Sequence, residues 1–243
     1  MGKLSGKTAI ITGASSGFGK GMALAFAREG CNLLVNARRE ERLKELQYMA
    51  ENLGAKAFYY VGDAREEKTA QDTIKLAIEK FGRIDILINN AGIGRMESIE
   101  YTTLETYDLI MDTNVRSAFA FSKYAVPEMK RQGDGQIIIV SSVTGIHGRA
   151  EESAYTCSKF AVRGLAQSLN AELLKDGIRV SVFCPHAGMT EFEIGHGRDA
   201  EEWAKKNFLT PEDVGEAVLS MCLQTGNCYV AEMCLASNNV IYW

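Results

Sequence analysis

The chain has 243 residues, 46% of them hydrophobic, a size and composition that suit one large α/β domain of a soluble globular protein. Its formal charge of −4 and pI near 5.6, with both signs spread along the sequence, leave no footprint for nucleic acid or an anionic membrane. No apolar run approaches the ~18 residues of a membrane span. The opening Met1-Gly2-Lys3-Leu4-Ser5 leads straight into an expected strand and leaves no room for a signal peptide. Gly2 does not open a myristoylation motif, since Gly6 stands where that motif has Ser or Thr. The expected compartment is the cytoplasm.

Short apolar runs alternate with longer amphipathic ones, the pattern of βαβ units. Thr8-Ala9-Ile10-Ile11 is the first expected strand, followed by a helix from Gly17 to Arg28. Asn32–Asn36 is the second, with a charged helix from Glu40 to about Asn52. Ala57–Val61 is the third, before a helix ending at Phe81, and Ile84–Ile88 is the fourth. Long helices around Thr106–Lys130 and Ser153–Lys175 flank a fifth strand at Gln136–Val140. Ile178–Phe183 is the sixth and Cys228–Leu235 the seventh, with a helix opening at Pro211 between them. The alternation predicts an α/β fold, a Rossmann-like doubly wound parallel sheet of seven strands with helices on both faces. No linker, repeat or low-complexity tract divides residues 1–243, so a single domain is expected. The stretch Gly188–Phe208 lacks strand-like patterning and is where a lid belongs.

Six cysteines, Cys31, Cys157, Cys184, Cys222, Cys228 and Cys234, form no Cys-x-x-Cys pair, and most lie in apolar segments. They are expected to act as small buried hydrophobes, with no disulfide framework and no metal site.

The turn Thr12-Gly13-Ala14-Ser15-Ser16-Gly17-Phe18-Gly19 joins the first strand to its helix. Glycines there allow a tight turn and close approach of backbone to a pyrophosphate, which would face the free N–H groups and positive end of the helix. An ordinary strand–helix turn also collects glycine. At the end of the second strand, Asn36-Ala37-Arg38-Arg39 offers no acid to accept from the adenosine ribose. Two cations stand there instead, and the arginine fork suits a 2′-phosphate, with the Ser15 hydroxyl close by. This favours NADP(H) over NAD. The competing reading has Arg38 and Arg39 merely capping a solvated helix rich in Glu40, Glu41 and Arg42.

Tyr155 and Lys159 are four residues apart on an expected helix and share a face. A free tyrosine, with a pKa of about 10, is a poor base near neutral pH, and a nearby ammonium lowers that value. Ser142, thirteen residues before Tyr155, can bond a substrate oxygen and stabilise charge on it. Each feature alone is commonplace, as a helix-face pair or a strand exit.

Together the glycine turn, Asn89-Asn90-Ala91-Gly92, the Asn114-Val115 step, Ser142, Tyr155 and Lys159 follow the order and spacing of the short-chain dehydrogenase/reductase family, which essentially the whole chain resembles. The resemblance implies that Tyr155 exchanges the proton, that Lys159 also bonds the nicotinamide ribose, and that Asn114 holds a water linking the lysine to solvent. It also carries Gly13, Ser15, Ser16, Gly17, Phe18 and Gly19 to the dinucleotide and Asp63 to the adenine. Asn90, Ala91 and Gly92 are carried to the adenosine and ribose, and Pro185 and Thr190 to the nicotinamide side. In Pro185-His186-Ala187-Gly188-Met189-Thr190 the interval is kept, but His186 stands where the family has glycine. That histidine either touches substrate or points outward. Cys157 lies inside the Tyr155–Lys159 motif, where its oxidation would harm activity.

The substrate walls are expected from Arg95, His147, Arg149, Glu151, Glu152, Glu191, Glu193, His196 and Arg198. Cations suit a carboxylate-bearing substrate, and the acids oppose that reading. Thr190-Glu191-Phe192 and Leu209-Thr210-Pro211-Glu212-Asp213-Val214 resemble the branch acting on small 3-hydroxy acids and related carbonyl compounds. The expected activity interconverts a secondary alcohol and a ketone or aldehyde with NADP(H) and no metal. A 3-oxoacyl-thioester reductase of lipid synthesis and a non-catalytic nucleotide sensor or scaffold are the alternatives. The partners expected are a small molecule and further copies of the chain, as a tetramer or dimer built on the two long helices and C-terminal segments, with no nucleic acid and no membrane. The apolar Val240-Ile241-Tyr242-Trp243 needs cover, either from a neighbouring subunit or from the chain itself.

Overall fold

The structure is a computed structural model describing residues 2–196, 199–201, 206, 208–224 and 227–238. Seven strands run through them: β1 (Thr8–Thr12), β2 (Asn32–Ala37), β3 (Ala57–Val61), β4 (Ile86–Asn89), β5 (Gly135–Val140), β6 (Ile178–Pro185) and β7 (Glu232–Leu235). The helices are α1 (Gly17–Arg28), α2 (Glu40–Asn52), α3 (Glu67–Phe81), α4 (Leu104–Met111), α5 (Ser117–Gln132), α6 (Ser153–Leu173) and α7 (Pro211–Cys222). All strand pairs are parallel, in the order β3-β2-β1-β4-β5-β6-β7. The order turns from leftward to rightward between β1 and β4, and in such sheets a crevice opens at the carboxyl ends of the strands on either side of that point.

Both faces of the sheet are covered, which is why the central strands read as unbroken apolar runs. Side chains alternate, so Ile11, Leu33 and Val35 meet Phe26 of α1, Leu43 of α2 and Val214 of α7 on one face. Ile10, Leu34 and Leu87 meet Ile74 of α3, Phe121 of α5 and Val162 of α6 on the other. Each fully buried side chain of this size contributes roughly 1.5–3 kcal/mol. At the base of the central strands Asp85 is buried and accepts from the Thr8 amide (2.9 Å), Lys7 Nζ (2.9 Å) and Arg83 Nε (2.7 Å). Burial pushes its pKa up, but the bonds from Arg83, Lys7 and Thr8 outweigh that, and the carboxyl is held below the usual carboxylate range.

Three expected elements are redrawn. The fourth strand starts at Ile86 rather than Ile84, because the Gln132 side chain takes both backbone groups of Ile84, at 2.9 and 2.8 Å. The seventh is shortened to Glu232–Leu235. Upstream of that pairing, Asn170 Oδ1 of α6 accepts from the Val180 amide (3.0 Å), a group that a longer ladder would need, and its Nδ2 donates to the Tyr229 hydroxyl (2.7 Å). The helix expected at Thr106–Lys130 begins at Leu104, capped by Thr103, whose hydroxyl accepts from the Thr106 amide at 3.1 Å. It is then broken by a π-helical turn, Asp112–Arg116, that separates α4 from α5.

The cysteines also depart from expectation. Cys31 and Cys184 are buried and Cys222 is partly so, whereas Cys157, Cys228 and Cys234 are exposed. Cys157 lies on the outer side of α6, and the other two lie at or beside the edge strand, where no second layer covers them. Arg198 and Val240–Trp243 fall outside the described residues, as does part of the Gly188–Phe208 stretch.

Candidate active site

A cavity of about 450 Å³ opens over the carboxyl ends of β1, β2, β4, β5 and β6. Every residue predicted for catalysis or for cofactor binding lines it except Asn114.

One end is built by the glycine turn. Gly13 adopts φ +66°, and a Cβ there would stand 2.8 Å from the Ala91 Cα. A Cβ on Gly19 would stand 2.5 Å from the Gly13 carbonyl oxygen. The turn is thus pressed against the exit of β4, and side chains are excluded where a pyrophosphate has to come close to backbone. Thr12 locks the arrangement, its hydroxyl accepting from the Asn90 and Ala91 amides at 3.0 Å each. Asn90 Nδ2 returns a bond to the Thr12 carbonyl at 2.9 Å. Ser16, the N-cap of α1, makes no side-chain cap, so the first amides of that helix depend on another acceptor. This cradle fits a dinucleotide pyrophosphate.

Beside it, Ala37 is buried at the end of β2 and the exposed Arg38 and Arg39 follow. Arg39, and not Arg38, reaches across to the glycine turn. Its Nη2 donates to Ser15 Oγ (3.0 Å) and Ser16 Oγ (2.7 Å), and its Nη1 to Glu191 (3.0 Å). Glu191 also accepts from Arg42 at 2.7 Å, and these bonds from Arg42 and Arg39 hold its carboxyl below the usual range. Asp63 accepts from Arg65 Nη2 at 2.7 Å, and that bond, with the Arg65 amide and the charge of Arg38, lowers its pKa despite partial burial.

At the other end, Tyr155 and Lys159 project from the first turns of α6, next to Ser142 at the exit of β5, and all three are buried. Lys159 Nζ donates to the Val140 carbonyl at 3.0 Å and lies 5.4 Å from the centroid of the Tyr155 ring. Burial drives its pKa down to about 8, opposed by the nearby Cys184 and Glu193. Ser142 Oγ accepts from the Thr144 amide at 3.2 Å. Asn114 sits behind the wall in the π turn. Its Oδ1 accepts from the Ile93 amide (2.8 Å), and its Nδ2 donates to the Ile93 carbonyl (2.9 Å) and Ser158 Oγ (2.9 Å). Both Asn114 Oδ1 and Lys159 Nζ lie close to Gly92, at 3.2 and 3.6 Å from the position of a Cβ there.

Three loops close the remaining side. The Met96 amide donates to the His196 carbonyl (3.2 Å) and the Glu97 amide to the Glu151 carbonyl (2.7 Å). Arg95, Arg149, Glu152, His186, Glu191, Glu193 and His196 line the cavity, whereas His147 and Glu151 are exposed and do not. His186 is turned inward and buried, with Nε2 2.8 Å from Arg149 Nη2. Sequence reasoning did not single out Thr12, Ile93, Phe192 or Ser158 as site residues. Thr12 was visible as the first letter of the turn motif. Phe192 was visible only as part of Thr190-Glu191-Phe192, with nothing to show that its ring centroid lies 5.6 Å from that of Tyr155. Glu193 was visible as a wall residue, but not its buried setting or its φ of +63°.

A parallel sheet with a dinucleotide cradle at its switch point, facing a tyrosine–lysine–serine cluster across one cavity, defines a nicotinamide-dependent oxidoreductase class. The sequence profile described as short chain dehydrogenase matches residues 7–201, and the chain belongs to that family. An uncharacterized oxidoreductase of Thermotoga maritima is 43% identical over 188 residues, 77% of this chain and 73% of its own. The alcohol dehydrogenase of Thermococcus sibiricus, complexed with 5-hydroxy-NADP, superposes with a TM-score of 0.87 at 27% identity, covering 97% of this chain and 98% of that one. A 3-ketoacyl-(acyl-carrier-protein) reductase of Brucella melitensis, complexed with NADH, gives 0.87 at 29% identity, covering 96% of each.

The buried Lys159 makes a testable contribution to stability. Its folded pKa of about 8 lies below the 10.5 of an ordinary lysine. Below pH 8 both states hold the proton and the burial penalty is complete. Between the two values the unfolded chain binds more protons, so stability rises with pH. Lys159→Met should therefore be more stable than wild type at pH 7, by on the order of 3 kcal/mol, and the gap should shrink towards pH 10. Urea midpoints of the cofactor-free proteins at the two pH values measure it; a gap that stays constant refutes the assignment.

Proposed function

We propose that this oxidoreductase interconverts a secondary alcohol and a ketone or aldehyde with NADP(H), in one domain spanning residues 1–243 whose substrate lid lies at about 188–208. The observation that carries the reading is the grouping of Tyr155, Ser142 and Lys159 around one cavity opposite the glycine cradle. A nicotinamide held there supplies or accepts the hydride. In the reducing direction Tyr155 Oη donates a proton to the substrate oxygen while Ser142 Oγ donates a hydrogen bond to it and stabilises its charge. Lys159, as an ammonium, favours the phenolate that remains on Tyr155. Asn114 holds the backbone beside Lys159 and positions the route by which that lysine regains a proton from solvent. Small 3-hydroxy acids are the substrate class proposed first, with Arg95 and Arg149 facing the carboxylate. Similarity to the Brucella ketoacyl reductase supports a 3-oxoacyl thioester as the second.

Tyr155→Phe should retain the fold and cofactor affinity and lose about 100- to 10,000-fold in turnover, measured as nicotinamide absorbance change across a panel of hydroxy acids, ketones and thioesters. Unchanged turnover removes Tyr155 from the chemistry, and absence of turnover on every substrate despite tight cofactor binding favours a nucleotide sensor.

For the cofactor, Arg38 is proposed to meet the 2′-phosphate with Ser15, and Arg39 to assist by leaving Glu191. Arg38→Ala should weaken NADPH binding by about 10- to 150-fold, the equivalent of one charge-assisted contact, and leave NADH binding nearly unchanged. Ala37→Asp should reverse the preference by repelling the phosphate and accepting from the ribose. Dissociation constants for both cofactors decide the matter, and equal weakening of both in Arg38→Ala refutes the assignment.

The flank formed by α4, α5 and α6 exposes Leu104 (76%), Phe119 (55%) and Phe160 (44%), with Ile99 (72%) and Tyr101 (69%) before it. A second copy of the chain would cover these residues, and we propose a dimer or tetramer built on this flank. Sedimentation at micromolar concentration should show it, and Phe119→Glu should shift the population towards monomer. A wild-type monomer would contradict it.

A further inference from the structure

On the far strands of the sheet, β6 and β7 bring together three side chains that the proposed oxidoreductase chemistry does not use. Their register sets Cys184 opposite Cys234 and Val182 opposite Glu232. Side chains alternate along a strand, so Glu232 and Cys234 share a face, while Met233 and Leu235 turn to the core beneath α1 and α7. Cys184 belongs to the opposite core, beneath α6, and so meets Glu232 and Cys234 on their side. The two Sγ atoms and a Glu232 carboxylate oxygen lie within 4.8 Å of one another. Tetrahedral zinc, with Zn–S near 2.3 Å and Zn–O near 2.1 Å, needs its ligand atoms roughly 3.5–3.8 Å apart. Small side-chain rotations bridge the difference.

The surroundings suit a cation bound through thiolates. Arg163 of α6 holds the Glu232 carboxylate with Nε (2.9 Å) and Nη2 (3.0 Å), leaving lone pairs on the oxygens and placing a positive charge beside three anionic ligands. Cys234 is exposed, which leaves an approach from solvent and room for a water as fourth ligand. A disulfide would use the two sulfurs alone, whereas a carboxylate oxygen converges on the same point as they do. Two strands about fifty positions apart supply the ligands, so no short cysteine spacing marks the site.

We propose that Cys184, Cys234 and Glu232 bind a zinc ion, completed by water, that clips the edge strand β7 to β6. Each thiol releases its proton to solvent as its Zn–S bond forms, and no electrons are transferred. The ion is held one residue before Pro185 and His186, so it also fixes the strand end from which the cavity wall begins. The proposal is independent of the substrate and cofactor readings.

The test uses the full chain, reduced with a phosphine and stripped by chelation, then titrated with Zn²⁺ against a chromophoric chelator. Wild type should bind one ion per chain, Cys234→Ser none at this site, and Glu232→Gln about tenfold or more weakly. Co²⁺ in place of zinc should give sulfur-to-metal charge-transfer absorption that Cys234→Ser abolishes. Zinc at a hundred times its dissociation constant should shift the folding equilibrium of wild type about a hundredfold, read as a higher urea midpoint, and leave Cys234→Ser unmoved. No zinc bound by reduced wild type, or equal binding by Cys234→Ser, overturns the site. A Cys184–Cys234 disulfide formed with peroxide in a protein that binds no zinc when reduced also overturns it, in favour of a thiol pair.

Discussion

The Thr12 hydroxyl joins the carboxyl ends of β1 and β4, the two strands between which the sheet changes direction. It accepts from two consecutive amides, those of Asn90 and Ala91, at the point where both chains leave the sheet. Neither amide has a ladder partner there, and each would cost about 1–3 kcal/mol if buried unpaired. One side chain therefore sets the width of the crevice, and the glycine turn and the Asn90-Ala91-Gly92 segment take their positions from it. The Gly13 and Gly19 contacts are close because this tether is short.

The opposite end of the cavity depends on an ammonium kept in an unfavourable place. Lys159 is buried under the β5 exit, where its Nζ donates to the Val140 carbonyl. Desolvation works against the charge, and the nearby Cys184 and Glu193 work for it. Asn114 acts beside the lysine by fixing the Ile93 backbone that passes next to it. The cluster is thus assembled from α6, the β5 exit, the β4 exit and the π turn, four segments that the sheet brings to one edge.

Much of this was legible in the sequence because it rests on local rules. Apolar runs of four to six residues separated by amphipathic stretches identified the strands and helices, and the glycine turn and the Tyr155–Lys159 spacing lie within single elements. What escaped depends on contacts between elements. Gln132 trims β4 from a distance of nearly fifty residues, and Asn170 stops the β6–β7 ladder, and neither has a propensity that announces it. Arg38 and Arg39 were equivalent as letters. Only the fold shows that Arg39 reaches the Ser15 and Ser16 hydroxyls while Glu191 and Arg42 form an ionic cluster with it. His186 looked ambiguous because strand alternation does not extend past Pro185, and its inward turn follows from the Arg149 contact. The cysteines misled because apolar neighbours in sequence do not mean a second layer in space.

The π turn at Asp112–Arg116 has a consequence for how this chain tolerates change in length. A π turn holds one residue more than the helix on either side of it. Removing that residue would restore a continuous helix and leave the faces of α4 and α5 in register, because the wider turn is what absorbs the extra residue. Phe121 would keep its place against the sheet, while Asn114, which lies in the turn itself, would lose its position beside Ile93. A deletion in the regular helix that follows has no such turn to absorb it, and would rotate the rest of α5 by about 100°. The chain thus has one residue of slack between β4 and β5, and that slack places Asn114.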